Sequence, residues 1–198
     1  MNVYDFDGTI YDGDSTLDFY FTMCRKYPNV LLCLPRQAIA FLKYKWGKID
    51  KTTFKQEFYS FLRNVEDVGH EVDLFWEENK KKIKLWYYDE KRNDDIIISA
   101  SPEFLLKPVC NSYLGIEVIA SKVNPSTGKY VGKNCYGKEK VNRFMELHKG
   151  DSIESFYSDS DSDYPLAVLA KQAFFVEKNT IVRWDKNTFN KKFKGLLI

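Results

Sequence analysis

The feature that most constrains this fold is the distance between the first two strand signals. Val3, Tyr4 and Phe6 at the front of the chain read as a short buried strand, and the next comparable signal is Ile96-Ile97-Ile98. Roughly seventy residues lie between them, from 13 to 84, with helical periodicity and no convincing strand pattern. That is too long for one crossover helix. It predicts an all-helical insert, residues 13–84, set into a core made of residues 1–12 and 85–198. Apolar spacing predicts helices over 16–25, 35–46, 50–62 and 68–84, with Pro28 and Gly47 as breaks.

From about residue 95 the pattern alternates between strand and helix. The run 96–98 is continuously apolar, as expected of a strand buried on both faces in a parallel sheet. Ser101 followed by Pro102 predicts an N-cap and first helical position, with the helix running to about residue 113. A strand over 115–123 and a turn at 124–128 lead into a hairpin return at 129–131. A helix opening at Gly137-Lys138 places Val141, Phe144, Met145 and His148 along one face. Further strands fall at 153–157, 173–176 and 181–184, with a helix over 164–170 and a Lys-rich tail (Lys191, Lys192, Lys194) expected to be peripheral. The alternation predicts an α/β fold, a doubly wound, mostly parallel sheet carrying the helical insert. Such sheets bind ligands at the carboxyl ends of their strands.

Charge and cysteines exclude several classes. Lys+Arg 30 against Asp+Glu 28 is too balanced for a nucleic-acid footprint, and the basic runs read as solvated faces. The longest apolar stretch, 30–34, is far below spanning length, and the acidic N-terminus has no signal-peptide pattern. Four cysteines without a CxxC pair and only two histidines argue against zinc. The expectation is a cytoplasmic protein with reduced thiols and neither nucleic acid nor membrane as partner.

The carboxyl ends of the predicted strands carry the reactive groups. Asp5 and Asp7 follow the first strand, and Gly8 lets the chain leave strand geometry so that both acids serve one site. Alone, this stretch reads equally well as a strand followed by an ordinary acidic turn and as a catalytic site. Ser99 ends the second strand, and Asp159 and Asp163 follow a later one. Together these groups suit phosphoryl transfer to an aspartate. One carboxylate attacks phosphorus and a second handles protons. The Ser99 hydroxyl and an ammonium from Lys138 hold the phosphoryl oxygens. Asp159, Asp5 and a backbone carbonyl offer hard oxygen ligands for Mg²⁺.

Asp5-Phe6-Asp7-Gly8-Thr9, Ile98-Ser99-Ala100-Ser101-Pro102, Gly137-Lys138 and Tyr157-Ser158-Asp159-Ser160-Asp161-Ser162-Asp163 occur in that order and frame nearly the whole chain. Taken together they resemble the haloacid dehalogenase-like hydrolase superfamily. The helical insert, with Asp12-Gly13-Asp14-Ser15, resembles the C1 cap of its phosphoserine phosphatase-like subgroup. The resemblance implies a Rossmann-like core and hydrolysis of a small phosphorylated metabolite through an aspartyl-phosphate. It implies Asp5 as nucleophile, Asp7 as general acid/base, and Ser99 and Ala100 as phosphate-binding positions. Mg²⁺ would be held by Asp5, the Asp7 carbonyl and Asp159, with Asp163 in support. Lys138 matches the subgroup's phosphate-binding lysine and is preferred over Lys140, which matches other members. Asp161 reads as a turn residue. A metal-free dehalogenase would not need Asp7, whereas a phosphomutase or phosphotransferase would share these motifs. A receiver-like or phosphate-binding module is the alternative from another class, but a receiver domain lacks the insert.

Overall fold

The computed structural model describes residues 1–184, so the expected peripheral Lys-rich tail lies outside the described residues. Six strands form one sheet: β1 (Asn2–Tyr4), β2 (Ile96–Pro102), β3 (Glu117–Ser121), β4 (Ser155–Ser158), β5 (Gln172–Glu177) and β6 (Thr180–Arg183). Their order is β3-β2-β1-β4-β5-β6, parallel throughout except for the antiparallel β5–β6 pair. The fold is therefore α/β with a mostly parallel sheet. β1 is central and buried on both faces, which explains its continuous apolar reading. Asp95, itself buried, ties its start to β2: Oδ1 accepts from Asn2 N at 2.6 Å and Oδ2 from Arg92 N at 2.7 Å. Strand order reverses at β1, so the chain leaving its carboxyl end enters the crevice where such sheets take ligands.

That chain runs into α1 (Ser15–Lys26), α2 (Leu34–Lys45), α3 (Lys51–Phe58) and α4 (Val68–Asn79), with 3₁₀ segments between α1 and α2 and between α3 and α4 and a plain turn between α2 and α3. Asp14, Asp50 and Asp67 cap α1, α3 and α4, each accepting a backbone N–H three residues on. The segment enters and leaves through a two-stranded neck. Tyr11 bridges Ile83, Asp12 N donates to Lys82 O at 2.9 Å, and Lys84 N donates to Ile10 O at 2.8 Å. The buried Lys84 ammonium fastens this neck, donating to Gly8 O and, at 2.6 Å, to Lys178 O.

One apolar cluster runs from Tyr4 and Phe6 through Phe19, Phe61, Phe75 and Trp76 to Leu105 and Val118, so the helices share a core with the sheet. Trp76 Nε1 donates to Leu105 O at 2.6 Å across that junction.

Several boundaries differ from the sequence reading. The fourth helix stops at Asn79, followed by a 3₁₀ turn (Lys80–Lys82) and an unanticipated short helix, α5 (Leu85–Glu90). β2 extends through Pro102, so α6 (Glu103–Lys107) starts later and Ser101 is not its cap. The helix then widens into a π-turn over Pro108–Tyr113, because Pro108 has no N–H for the regular ladder. The hairpin return narrows to a single Val123–Tyr130 bridge. α7 (Lys138–Leu147) and α8 (Tyr164–Ala167) complete the fold. Among the described residues, no helix is long and apolar enough to cross a membrane.

Candidate active site

A cleft of about 150 Å³ opens at the carboxyl ends of β1, β2 and β4, lined by Asp5, Asp7, Ser99, Lys140 and Asp163 from the core and by Asp14, Lys51 and Lys55 from the helices. Asp5 still belongs to the sheet, its N–H donating to Tyr157 O at 2.9 Å. The chain then coils, with Ile10 N and Tyr11 N both donating to Phe6 O. This carries Asp7 onto the same side as Asp5, as the Gly8 argument requires. Gly8 has φ +73°, and a Cβ there would lie 2.0 Å from Asp159 Oδ2. Only glycine fits both the conformation and that approach.

Asp7 sits at the N-terminus of α1. Its Oδ1 accepts from Ser15 N at 2.7 Å, and its Oδ2 accepts from the Ser101 hydroxyl, to which Thr16 Oγ1 donates at 3.2 Å. Ser101 therefore orients Asp7. Burial, and then Asp14, push the Asp7 carboxyl up to about 6 against the opposing pull of Ser101 and Ser15. Ser99 and Ala100 lie where the β2–β3 ladder loses register between Ile98 and Pro102, and both line the cleft.

Of Lys138 and Lys140, the one that lines the cleft is Lys140. It is 1% exposed and donates to Asp5 Oδ1 at 2.8 Å and to Asp163 Oδ2 at 2.7 Å. Lys138 is exposed on the first turn of α7 and does not line the cleft. Burial opposes the Lys140 charge, but the two carboxylates outweigh it and hold the ammonium firmly protonated. Asp5 is pushed up to about 7 by burial, with Lys140 pulling down and Asp163 and Asp159 pushing further up.

Asp159 is tied beside this group by Thr9, whose hydroxyl accepts from Asp159 N at 2.9 Å and faces Asp159 Oδ1 at 3.3 Å. Its carboxyl is likewise raised by burial and by Asp163. Asp163 is 1% exposed; Oδ2 also accepts from Ser158 Oγ at 2.8 Å, while Oδ1 is buried with no hydrogen-bond partner among the described residues. Asp161 is half-buried in the adjoining turn and does not line the cleft.

Asp5 and Asp163 share one ammonium and Asp159 lies beside them, so hard oxygens outnumber the cation, which suits a divalent ion such as Mg²⁺. Among the described residues no three acid, His or Cys side chains are grouped as a ready-made metal cluster.

Sequence reasoning missed the contribution of α3. Lys55 reaches down to donate to Ala100 O at 3.1 Å, and Lys51 lies 3.5 Å over the Tyr136 ring. Burial, and then Lys51, lower Lys55 to about 8. Both lysines sit one turn apart on the same helix, a spacing visible in the sequence, but nothing local says which face meets the core. A second cleft of about 260 Å³ adjoins the first, sharing Asp14, Lys55 and Ser101, and is walled by Leu17, Phe54, Phe58 and Tyr59.

A histidinol-phosphatase from Neisseria meningitidis serogroup C is 27% identical over 92 residues, 40% of this chain and 41% of that protein's length. A solved structure of a Bordetella pertussis Tohama I protein of unknown function superposes with a TM-score of 0.71 at 17% identity, covering 87% of both chains. A phosphoserine phosphohydrolase-like protein from Francisella tularensis does so at 0.57 and 16% identity, covering 90% of both. These likenesses establish the fold. The haloacid dehalogenase-like hydrolase family model matches residues 3–167, and the chain belongs to that family.

Proposed function

We propose that this hydrolase is a Mg²⁺-dependent phosphatase that cleaves a small-molecule phosphate monoester through an aspartyl-phosphate on Asp5. The observation that carries the reading is the convergence of Asp5, Asp7, Ser99 and Lys140 on one cleft. Asp5 Oδ1 is occupied by Lys140, while Oδ2 accepts no hydrogen bond among the described residues and is the oxygen we assign to attack. The bond from Asp5 to phosphorus forms as the ester P–O bond breaks, and the leaving alkoxide takes a proton from Asp7. Asp7 then removes a proton from water, which attacks phosphorus and returns Asp5 as a carboxylate with release of inorganic phosphate. The Ser99 hydroxyl, the Ala100 backbone and the Lys140 ammonium hold the phosphoryl oxygens. We assign Lys140 rather than Lys138 to this role because only Lys140 faces the cleft. Asp5, the Asp7 carbonyl and Asp159 would hold Mg²⁺, with Asp163 supporting through Lys140. Bound there, the ion would shield the carboxylate from the phosphate charge.

In this reading residues 13–84 cap a core made of residues 1–12 and the chain from 85 onward. The adjoining cleft walled by Leu17, Phe54 and Phe58 takes the alcohol half of the ester. The name of the Neisseria relative supports a phosphatase acting on a metabolite. All four cysteines are unpaired, which fits a cytoplasmic setting. A panel of phosphomonoesters assayed with Mg²⁺ by kcat/KM tests the reading. Esters with apolar alcohol groups should be turned over faster than esters of short polar alcohols. Absence of phosphate release from every ester would overturn it.

A further inference from the structure

We propose that the outer face of α2, with the turn before it, docks the protein on an anionic lipid surface. The helix α2 is inverted. Gln37, Ala40 and half-buried Tyr44 make up the inward stripe of α2, and Gln37 is held there by the Tyr20 hydroxyl at 2.7 Å and by its own bond to Phe58 O at 2.9 Å. Ile39, Leu42 and Trp46 fall on the opposite side at spacings of three and four, so the apolar stripe points away from the protein. Exposure is 55% for Ile39, 67% for Trp46 and 77% for Leu32 in the preceding turn. An apolar face of this kind, contiguous along twelve residues and the turn before them, is the sort of patch that proteins cover with a partner.

Charge selects the partner. Residues 19–49 contain six Lys and Arg and no Asp or Glu. Lys26 and Arg36 are neutralised by Glu71 and Glu57, but Lys43, Lys45 and Lys48 form no ion pair among the described residues. Lys45 lies 5.5 Å over the Phe41 ring and Lys48 lies 5.3 Å over the Trp46 ring, so ammonium groups border the apolar stripe. A basic helix with Trp, Phe and Leu on its free face is suited to lie in the headgroup region of a bilayer. A second copy of the chain would bring like charge against like, which disfavours self-association through this face. The expectation of no membrane partner rested on the lack of a long apolar stretch, a test of spanning that says nothing about a helix lying in the interface plane.

The experiment is cosedimentation of the full chain with vesicles of phosphatidylcholine mixed with phosphatidylglycerol, against vesicles of phosphatidylcholine alone. The wild type should bind the mixed vesicles and not the neutral ones, and added salt should weaken binding. Replacing Lys43, Lys45 and Lys48 together by Gln should weaken binding on the order of a hundredfold, about fivefold for each ammonium near the surface. Leu42→Ser with Trp46→Ser should abolish it. Both variants should keep the wild-type unfolding midpoint and hydrolytic rate on a water-soluble ester. Failure to bind mixed vesicles at low salt, or equal binding to neutral ones, would overturn the proposal. So would a dimer in sedimentation equilibrium that the Leu42/Trp46 variant converts to monomer.

Discussion

Replacing Lys140 by Met tests the electrostatic design of the cleft. The ammonium is 1% exposed and lies 2.8 Å from Asp5 and 2.7 Å from Asp163, both buried. Methionine preserves most of the volume but leaves two buried carboxylates facing each other without a cation. Removing one partner from such a cluster costs about 3–5 kcal/mol. For a chain of this size each kcal/mol moves Tm by roughly 2–4 °C, so the midpoint should fall by something on the order of 6–20 °C near pH 8. The sign of the pH dependence follows from Asp5. Its pKa is already pushed up to about 7, and loss of Lys140 removes the main pull downward. A carboxylate whose folded pKa exceeds its unfolded value destabilises the fold only when ionised. The penalty is absent below the unfolded pKa and grows as pH rises to the folded one. The variant should therefore approach wild-type stability near about pH 5 and be weakest near about pH 8. Thermal unfolding at both pH values in the presence of a chelator measures this. Lys138→Met is the control, since an exposed substitution should stay within about 0.5 kcal/mol of wild type. Equal midpoints for Lys140→Met and wild type at both pH values would show that Lys140 does not balance the two carboxylates.

Other substitutions probe the neighbouring parts. Gly8→Ala forces a side chain into φ +73° and against Asp159, and should cost about 1–3 kcal/mol while raising the Mg²⁺ concentration needed for half-maximal hydrolysis; chemical denaturation and a Mg²⁺ titration check both. Asp159→Asn should raise that Mg²⁺ requirement by about tenfold or more with a smaller effect on stability, read from the same titration. Lys55 carries its charge below about pH 8 and loses it above, so KM for an anionic ester should rise as pH passes that value. In Lys55→Met, KM should be higher at the outset and flat across the same range.

Much of the site was legible because strand ends fix side-chain direction. Asp5, Ser99 and Asp159 lie near the carboxyl ends of parallel strands, where the sheet gathers them, and the turn at Gly8 brings Asp7 to the same side. Lys140 was not legible from motif spacing alone. On α7 it lies four residues before Phe144, which is 2% exposed, so the two share the buried stripe, whereas Lys138 lies on the other side of the helix. Extending the buried face backward from Phe144 would have selected Lys140; the assumed face through Met145 obscured it, and Met145 is exposed. Ser101 read as a helix cap because Ser-Pro is a good local start signal. Pairing with β3 instead prolonged β2 past it and turned its hydroxyl to Asp7. The lysines of α3 depend on how the helical segment folds over the sheet, which no local pattern encodes. The exposed apolar face of α2 was visible as periodicity, but periodicity does not say which side a helix turns to its protein.

In the proposed reaction Asp5 takes the phosphoryl group. Acid quenching during turnover of a reactive phosphate monoester with Mg²⁺, followed by peptide mass spectrometry, tests it most directly. Phosphate should appear on Asp5 in the wild type, with more of it in Asp7→Asn, and Asp5→Asn should show neither adduct nor turnover. Near-normal hydrolysis by Asp5→Asn, or an adduct on any other residue, would contradict it.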